Sequence, residues 1–103
     1  MTASGLPSQI EDIEAALGAL RADLEASYPI RLIGVFGSVA RGDSGPGSDV
    51  DLLVEARPGL SLFKLGAVQA LIEGALGRPV DLVFESGLKP RMRERIAAEM
   101  RPL

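Results

Sequence analysis

The chain has 103 residues, of which 47% are hydrophobic and 24% are charged, and its formal net charge is −3. This length fits one small domain, and with three Phe, one Tyr and no Trp its core should be largely aliphatic. The absence of Cys and His excludes a Cys/His zinc site, a Ser-His-Asp triad and a thiol nucleophile. Any metal must therefore be held by oxygen ligands, which favours Mg²⁺ or Mn²⁺.

Targeting and binding to large surfaces are also constrained by the sequence. Residues 1–5 lack the basic and apolar segments of a signal peptide, and no apolar run approaches the roughly 18 residues of a membrane span. We therefore expect a cytoplasmic protein without membrane association. The acidic net charge argues against a polymerase-like grip on a long nucleic acid, which needs a broad basic surface. Residues 1–103 are expected to form a single domain, with residues 1–6 disordered.

An amphipathic helix is predicted near the start of the chain. A capping-box pattern at residues 8–11 follows Pro7 and opens it. The helix should end near Ser27, ahead of Pro29, and a buried strand should follow over residues 30–36. Its apolar residues recur at steps of three and four along one face: Ile10, Ile13, Leu17, Leu20 and Leu24.

A turn suited to phosphate binding follows this first strand. The strand breaks at Gly37 and Ser38, and residues 39–41 are predicted to begin a helical turn with outward-pointing N–H groups. Such a turn can cradle a phosphate, with the Ser38 hydroxyl as an added donor. Gly37 and Ser38 are therefore candidate phosphate-binding residues.

The next residues form a loop rich in Gly, Ser and Pro at residues 42–48, suited to opening for a ligand. Arg41, just before it, has two interpretations: it reaches back to a phosphate bound at the turn, or it pins the loop by pairing with Asp43. Arg41 and Ser48 are further candidate binding residues.

Two aspartates, Asp49 and Asp51, begin a second predicted strand over residues 49–55. Side chains alternate along a strand, so both carboxylates share one face, with Cβ atoms about 6–7 Å apart. Their oxygens can converge on two divalent ions about 3.5–4 Å apart, the spacing of two-metal phosphoryl-transfer sites. The alternative is a solvated strand face that happens to carry two charges.

A third strand carries another candidate acid. After a helix capped by Ser61 and ended by Gly77, residues 80–84 read as a strand with Asp81 on the face opposite its apolar residues. A lone aspartate in an apolar strand is costly unless something pairs with it. If this strand lies beside the second, Asp81 faces the other two acids. Otherwise it is an edge-strand charge in contact with solvent.

A last helix is predicted from a stripe of Leu88, Met92, Ile96 and Met100, stopped by Pro102. Its other faces bear arginines, which are either ordinary surface charges or contacts to a partner or a triphosphate. Together these elements predict an α/β (α+β) fold: a small mixed sheet of three to four strands with about three helices.

The combination of Gly37-Ser38, ten residues, and Asp49-x-Asp51 resembles the signature of the minimal nucleotidyltransferases, within the polymerase-β-like nucleotidyltransferase superfamily. The resemblance covers nearly the whole chain. It implies the polymerase-β-like fold and a catalytic, metal-binding triad of Asp49, Asp51 and Asp81. It also implies two Mg²⁺ ions, with Mn²⁺ as a substitute. The nucleotide-binding residues that it implies are Gly37, Ser38, Arg41 and Ser48.

The resemblance further implies transfer of a nucleoside monophosphate, AMP from ATP or the equivalent from another NTP, to a hydroxyl of a partner protein. Small members of this family are often antitoxins paired with HEPN-domain toxins, so a HEPN toxin is the expected partner. Two alternatives stay open at this point. One is a non-catalytic antitoxin that neutralises its partner by occlusion, and the other is a nucleotide sensor.

Overall fold

The structure is a computed structural model that describes residues 9–43, 45 and 47–103. The predictions for residues 1–6, and the Ser8 end of the predicted capping box, lie outside the described residues. The elements in chain order are α1 (Ile10–Ser27), β1 (Ile30–Phe36), α2 (Gly37–Arg41), β2 (Val50–Ala56), α3 (Leu62–Leu76), β3 (Val80–Phe84), a 3₁₀ turn (Glu85–Gly87), α4 (Pro90–Glu99) and β4 (Arg101–Pro102).

The four strands form one mixed sheet in the order β3-β2-β1-β4. Strand β1 is antiparallel to both β2 and β4, whereas β2 and β3 are parallel. Parallel neighbours need a crossover connection, and α3 supplies it. The mixed sheet with helices confirms the predicted fold class, with α2 as a further short helix.

A β-bulge in β1 decides which side chains face which side of the sheet. Leu32 pairs with Val54 and Gly34 pairs with Leu53, so Ile33 is an extra residue on β1. Beyond a bulge the alternation of side chains is reversed. As a result Phe36, at the end of β1, faces the side of the sheet opposite to Leu32.

The first face of the sheet is covered by α1 and α3, which contact each other as well as the strands. The predicted stripe of α1 packs here, and Ser61 caps α3 by accepting a hydrogen bond from the Lys64 backbone N–H at 3.1 Å. The buried residues of this core are Ile10, Ile13, Leu17, Leu24, Ile30, Leu32, Val35, Val39, Val50, Leu52, Val54, Val68, Ile72, Leu76 and Val80.

Helix α4 packs on the second face, where the apolar layer is much thinner. The buried side chains of this layer are Phe36, Leu53 and Ile96, with Leu88 and Met100 among the partly buried residues around them. Both Leu88 and Met100 belong to the predicted apolar stripe, although α4 itself is shorter than that stripe. Because α4 covers only part of this face, one end of β2 and β3 borders an open cleft.

The C-terminal strand β4 fixes the end of α4 against the sheet. It pairs with β1, and the Leu103 backbone N–H donates to the Ile33 carbonyl at 2.9 Å. Gly34 permits this close approach, since an added Cβ would lie 2.7 Å from Met100 Cγ and 2.8 Å from the Arg101 carbonyl oxygen. An ion pair of 2.9 Å between Arg101 and Glu14 joins β4 to α1.

Candidate active site

The cleft on the second face has a volume of about 340 Å³. Its polar lining residues are Gly37, Ser38, Arg41, Asp51, Asp81, Arg95 and Glu99, and its apolar lining residues are Phe36, Val83, Met92 and Ile96. Five of the predicted site residues therefore border one cavity, and they come from α2, β2 and β3. The remaining two, Asp49 and Ser48, lie in the segment that leads into β2 and are not among its lining residues.

Asp51 and Asp81 form the acidic centre of the cleft. They are direct partners in the parallel ladder between β2 and β3. Adjacent strands lie about 4.8 Å apart, so carboxylates on one face of such a pair can share a cation. Asp51 is half-buried and Asp81 is exposed. The sequence predicted that Asp81 faces the other acids if the third strand lies beside the second. That strand order is present, and Asp81 lies beside Asp51.

Asp49 stands apart from this pair. It is exposed and lies one residue before β2, outside the regular alternation of the strand. Within residues 9–43, 45 and 47–103, no group of three or more acidic, His or Cys side chains is close enough together to hold a metal ion. The negative charge of Asp49 nevertheless acts on Asp51 and helps to raise the pKa of that carboxyl.

The pKa of Asp51 is raised above its ordinary value. Partial burial is the largest cause, and the negative charges of Asp81, Asp49 and Glu99 add to it, while Arg41 opposes it. The cleft thus holds more negative charge than its own cations neutralise. Because the surplus charge sits on carboxylate oxygens, the residues present fit a hard divalent cation such as Mg²⁺ or Mn²⁺.

Gly37 sits against Asp51 in a way that other residues could not. Its φ is +79°, and an added Cβ would overlap the Asp51 carboxylate. Glycine is therefore required here for both its backbone conformation and its lack of a side chain. The chain turns directly from β1 into α2 at this point, which brings the backbone N–H of Gly37 and the side chain of Ser38 to the wall of the cleft.

Arg41 is held by two carboxylates. Its Nε donates to Asp43 at 3.1 Å, and its Nη1 donates to Glu99 at 2.8 Å. The predicted pairing with Asp43 is therefore present, and the guanidinium also lines the cleft, where the other interpretation requires it.

The loop between α2 and β2 is anchored by a residue that the sequence analysis missed. Arg78 is only 6% exposed, and it donates to the Ser48 carbonyl from Nε at 3.0 Å and from Nη2 at 2.7 Å. Nη2 also lies 3.4 Å from the Gly45 carbonyl oxygen. Arg78 thus fixes the backbone just before Asp49. The sequence offers only a weak signal, a cation between Gly77 and Pro79 at the start of an apolar strand.

Glu99 is the second missed residue. Its partner Arg41 lies 58 positions away in the chain, so no local pattern indicates the contact. Helix α4 carries Glu99 to the cleft by packing against α2.

In the part of the chain that the structure describes, no helix is both long enough and apolar enough to cross a membrane.

Comparison with known proteins identifies the family of this chain. A family model described as a nucleotidyltransferase domain matches residues 17–103. The protein adenylyltransferase MntA of Thermococcus cleftensis is 38% identical over 91 residues, which cover 88% of this chain and 92% of that protein. A solved structure assigned as a minimal nucleotidyltransferase is 40% identical, has a TM-score of 0.76, and covers 92% of this chain and 96% of its own.

More distant structures share the fold. An MNT antitoxin in complex with a tri-AMPylated HEPN toxin of Shewanella oneidensis matches with a TM-score of 0.60 at 20% identity, covering 87% of this chain and 70% of its own. At this identity the match concerns the fold alone. The extent of the family match and the similarity to MntA are sufficient to classify the sequence. The chain belongs to the nucleotidyltransferase family and is a minimal nucleotidyltransferase, as its Gly-Ser and Asp-x-Asp motif indicated.

Proposed function

We propose that this protein transfers AMP from ATP to a hydroxyl group of a partner protein, and that the partner is a HEPN toxin. The observation that carries the proposal is the pairing of Asp51 with Asp81 opposite the Gly37-Ser38 turn in one cleft. The adenylyltransferase name of the 38% identical relative supports AMP as the transferred group. The toxin–antitoxin complexes among the structural neighbours support the partner.

The site residues predicted from the sequence have the following roles in this reaction. Asp51 and Asp81 would hold the first of two Mg²⁺ ions, for which Mn²⁺ can substitute, and the exposed Asp49 would contribute to the second ion if its side chain turns toward the pair. Bound there, the metal would offset the charge of the triphosphate and lower the pKa of the acceptor hydroxyl. The Gly37 N–H and the Ser38 hydroxyl orient the phosphates, and Arg41 supplies positive charge beside them. Ser48 supports the nucleotide indirectly, through the anchored loop.

The bond changes follow from this arrangement. The acceptor oxygen attacks the α-phosphorus in line with the leaving group. A new P–O bond to the partner forms, the bond to the β-phosphate oxygen breaks, and pyrophosphate leaves. Asp81, the exposed member of the acid pair, accepts the hydroxyl proton. Positioning and charge stabilisation supply most of the rate enhancement. Because ATP and a toxin acting inside the cell are needed, the proposal implies a cytoplasmic protein.

The experiment is transfer of label from α-labelled ATP to a purified candidate toxin, followed by mass spectrometry of the toxin. Asp51→Asn and Asp81→Asn should each reduce transfer by about 10³-fold or more, since each removes a carboxylate that is proposed to hold the metal ion at the reacting phosphate. Asp23→Asn, which changes an exposed aspartate of α1, is the matched control and should retain full transfer. Undiminished transfer by Asp51→Asn would contradict the proposal. Full neutralisation of the toxin by an Asp49→Asn, Asp51→Asn variant would instead support occlusion.

A further inference from the structure

The carboxylate of Glu99 lies against the turn at Gly37, to which the proposed function assigns the nucleotide phosphates. Its Oε1 accepts a hydrogen bond from the Gly37 backbone N–H at 3.2 Å, and its Oε2 accepts from Arg41 Nη1 at 2.8 Å. The side chain is 16% exposed and lines the same cleft as the Asp51–Asp81 pair. An anionic group belonging to the protein is therefore bound by the two donors that the proposed function assigns to the triphosphate.

Apart from these two donors and the positive charge of Arg95, the surroundings of Glu99 are unfavourable for a carboxylate. It is the last residue of α4, where the helix dipole places partial negative charge. It also adds to the negative charge acting on Asp51. The pKa of Glu99 is nevertheless lowered, and the hydrogen bond from Arg41 is the largest cause, with the Gly37 N–H contributing. These two donors thus keep the carboxylate ionised and in place.

We propose that Glu99 is an internal competitor for the phosphate position, so that a phosphate group must displace its carboxylate in order to bind. The inference rests on the proposed function, because the turn is the one assigned to the nucleotide phosphates. In this role Glu99 determines specificity for a triphosphate over a single phosphate. A single small phosphate gains too few contacts to displace the carboxylate, whereas a triphosphate also makes contacts elsewhere in the cleft.

The backbone around Glu99 allows the side chain to leave without rearrangement of the fold. The next residues, Met100 and Arg101, are fixed by packing against Gly34 and by the pairing of β4 with β1. The ion pair between Arg101 and Glu14 fastens them further. Displacement therefore requires only rotation of the Glu99 side chain, while α4 keeps its position.

The test is titration calorimetry in buffer containing Mg²⁺ with inorganic tripolyphosphate and with orthophosphate, comparing the wild-type protein with Glu99→Gln. Glutamine keeps the size of the side chain but removes the charge that strengthens both hydrogen bonds. We expect Glu99→Gln to bind tripolyphosphate about tenfold more tightly, and to bind orthophosphate measurably where the wild type does not. Glu94→Gln, an exposed change on the same helix, should match the wild type.

Amide NMR spectra of the same samples report folding and the contact itself. The Gly37 amide signal should shift in Glu99→Gln without ligand and should shift in the wild type on addition of tripolyphosphate. Equal or weaker tripolyphosphate binding by a folded Glu99→Gln variant would overturn the inference and make Glu99 a residue that supports the turn. If the proposed phosphate site is wrong instead, neither the wild type nor Glu99→Gln would bind tripolyphosphate. That result would overturn the phosphate site together with the inference.

Discussion

The two faces of the sheet differ in how completely they are covered. On the first face α1 and α3 bury a continuous set of aliphatic side chains, including the fully buried Ile13 and Leu17. On the second face α4 buries Phe36, Leu53 and Ile96 and leaves a cleft beside them. Most of the apolar burial thus lies on the first face, and the charged residues of the cleft lie on the second face. A domain of this size can keep an acidic cluster because the opposite face supplies most of the apolar burial.

The largest expected difference between the two faces is in the free energy of unfolding. Leu17→Ala should cost about 2–5 kcal/mol, because it opens a cavity in the well-packed core. Met92→Ala, which truncates a side chain that is 42% exposed at the cleft, should cost less than about 1 kcal/mol. Urea denaturation of both variants measures the difference. Equal losses would show that the second face contributes as much to stability as the first.

A smaller but more local effect is expected at Gly37. Gly37→Ala forces a side chain into the left-handed region of φ and against the Asp51 carboxylate, so it should cost about 1–3 kcal/mol. Nucleotide binding should be lost as well. Gly18→Ala is the control, because a Cβ there meets no atom within 4 Å and should stabilise α1 by about 0.5–1 kcal/mol. A Gly37→Ala variant with wild-type stability and binding would contradict the described turn.

Removal of charge from the acid pair should raise stability while it removes function. The pKa of Asp51 is raised, so the fold disfavours its ionised form. The stability associated with Asp51 is therefore fully present below the ordinary aspartate pKa and is lost as the pH rises through the folded pKa of Asp51. Asp51→Asn should therefore have a higher Tm than the wild type at neutral pH without divalent cations, and thermal unfolding measures this. A lower Tm would indicate that neighbouring groups stabilise the charged carboxylate.

The smallest expected effect comes from an ion pair away from the cleft. Arg31 Nε lies 2.9 Å from Glu55 Oε1 across β1 and β2, and this hydrogen bond lowers the pKa of Glu55. A lowered pKa gives stability that is present above the ordinary glutamate pKa and is lost as the pH falls through the folded pKa. Glu55→Gln should flatten the acid side of the Tm–pH profile slightly, whereas Glu94→Gln should leave it unchanged. An unaltered acid side in Glu55→Gln would show that the pair adds no stability.

The elements with a strong local signal could be predicted from the sequence. Helix α1 shows a regular apolar stripe, β3 is bounded by Pro79 and alternates around Asp81, and α3 has Ser61 and Gly77 as its two caps. Each of these signals lies within the segment itself, so no knowledge of packing was needed. The Gly-Ser and Asp-x-Asp motif belongs to the same class, because its spacing is local.

Features that depend on contacts between distant segments could not be predicted. Strand β4 has two residues, one of them proline, and it forms because Gly34 lets the C-terminal segment approach β1. The bulge at Ile33 has only a weak local signal, the glycine at position 34 within an otherwise apolar run. The contacts of Arg78 with the loop and of Glu99 with the turn depend on tertiary structure, so neither residue stood out among the other charges.

The most direct measurement is a crystal structure with Mn²⁺ and a non-hydrolysable ATP analogue, using anomalous scattering to locate the metal. We expect manganese between the carboxylates of Asp51 and Asp81, with the phosphates at the Gly37-Ser38 turn and the Glu99 side chain rotated away from Arg41. Manganese bound at a different site, with the analogue outside the cleft, would contradict the assignment of this face as the nucleotidyltransferase site.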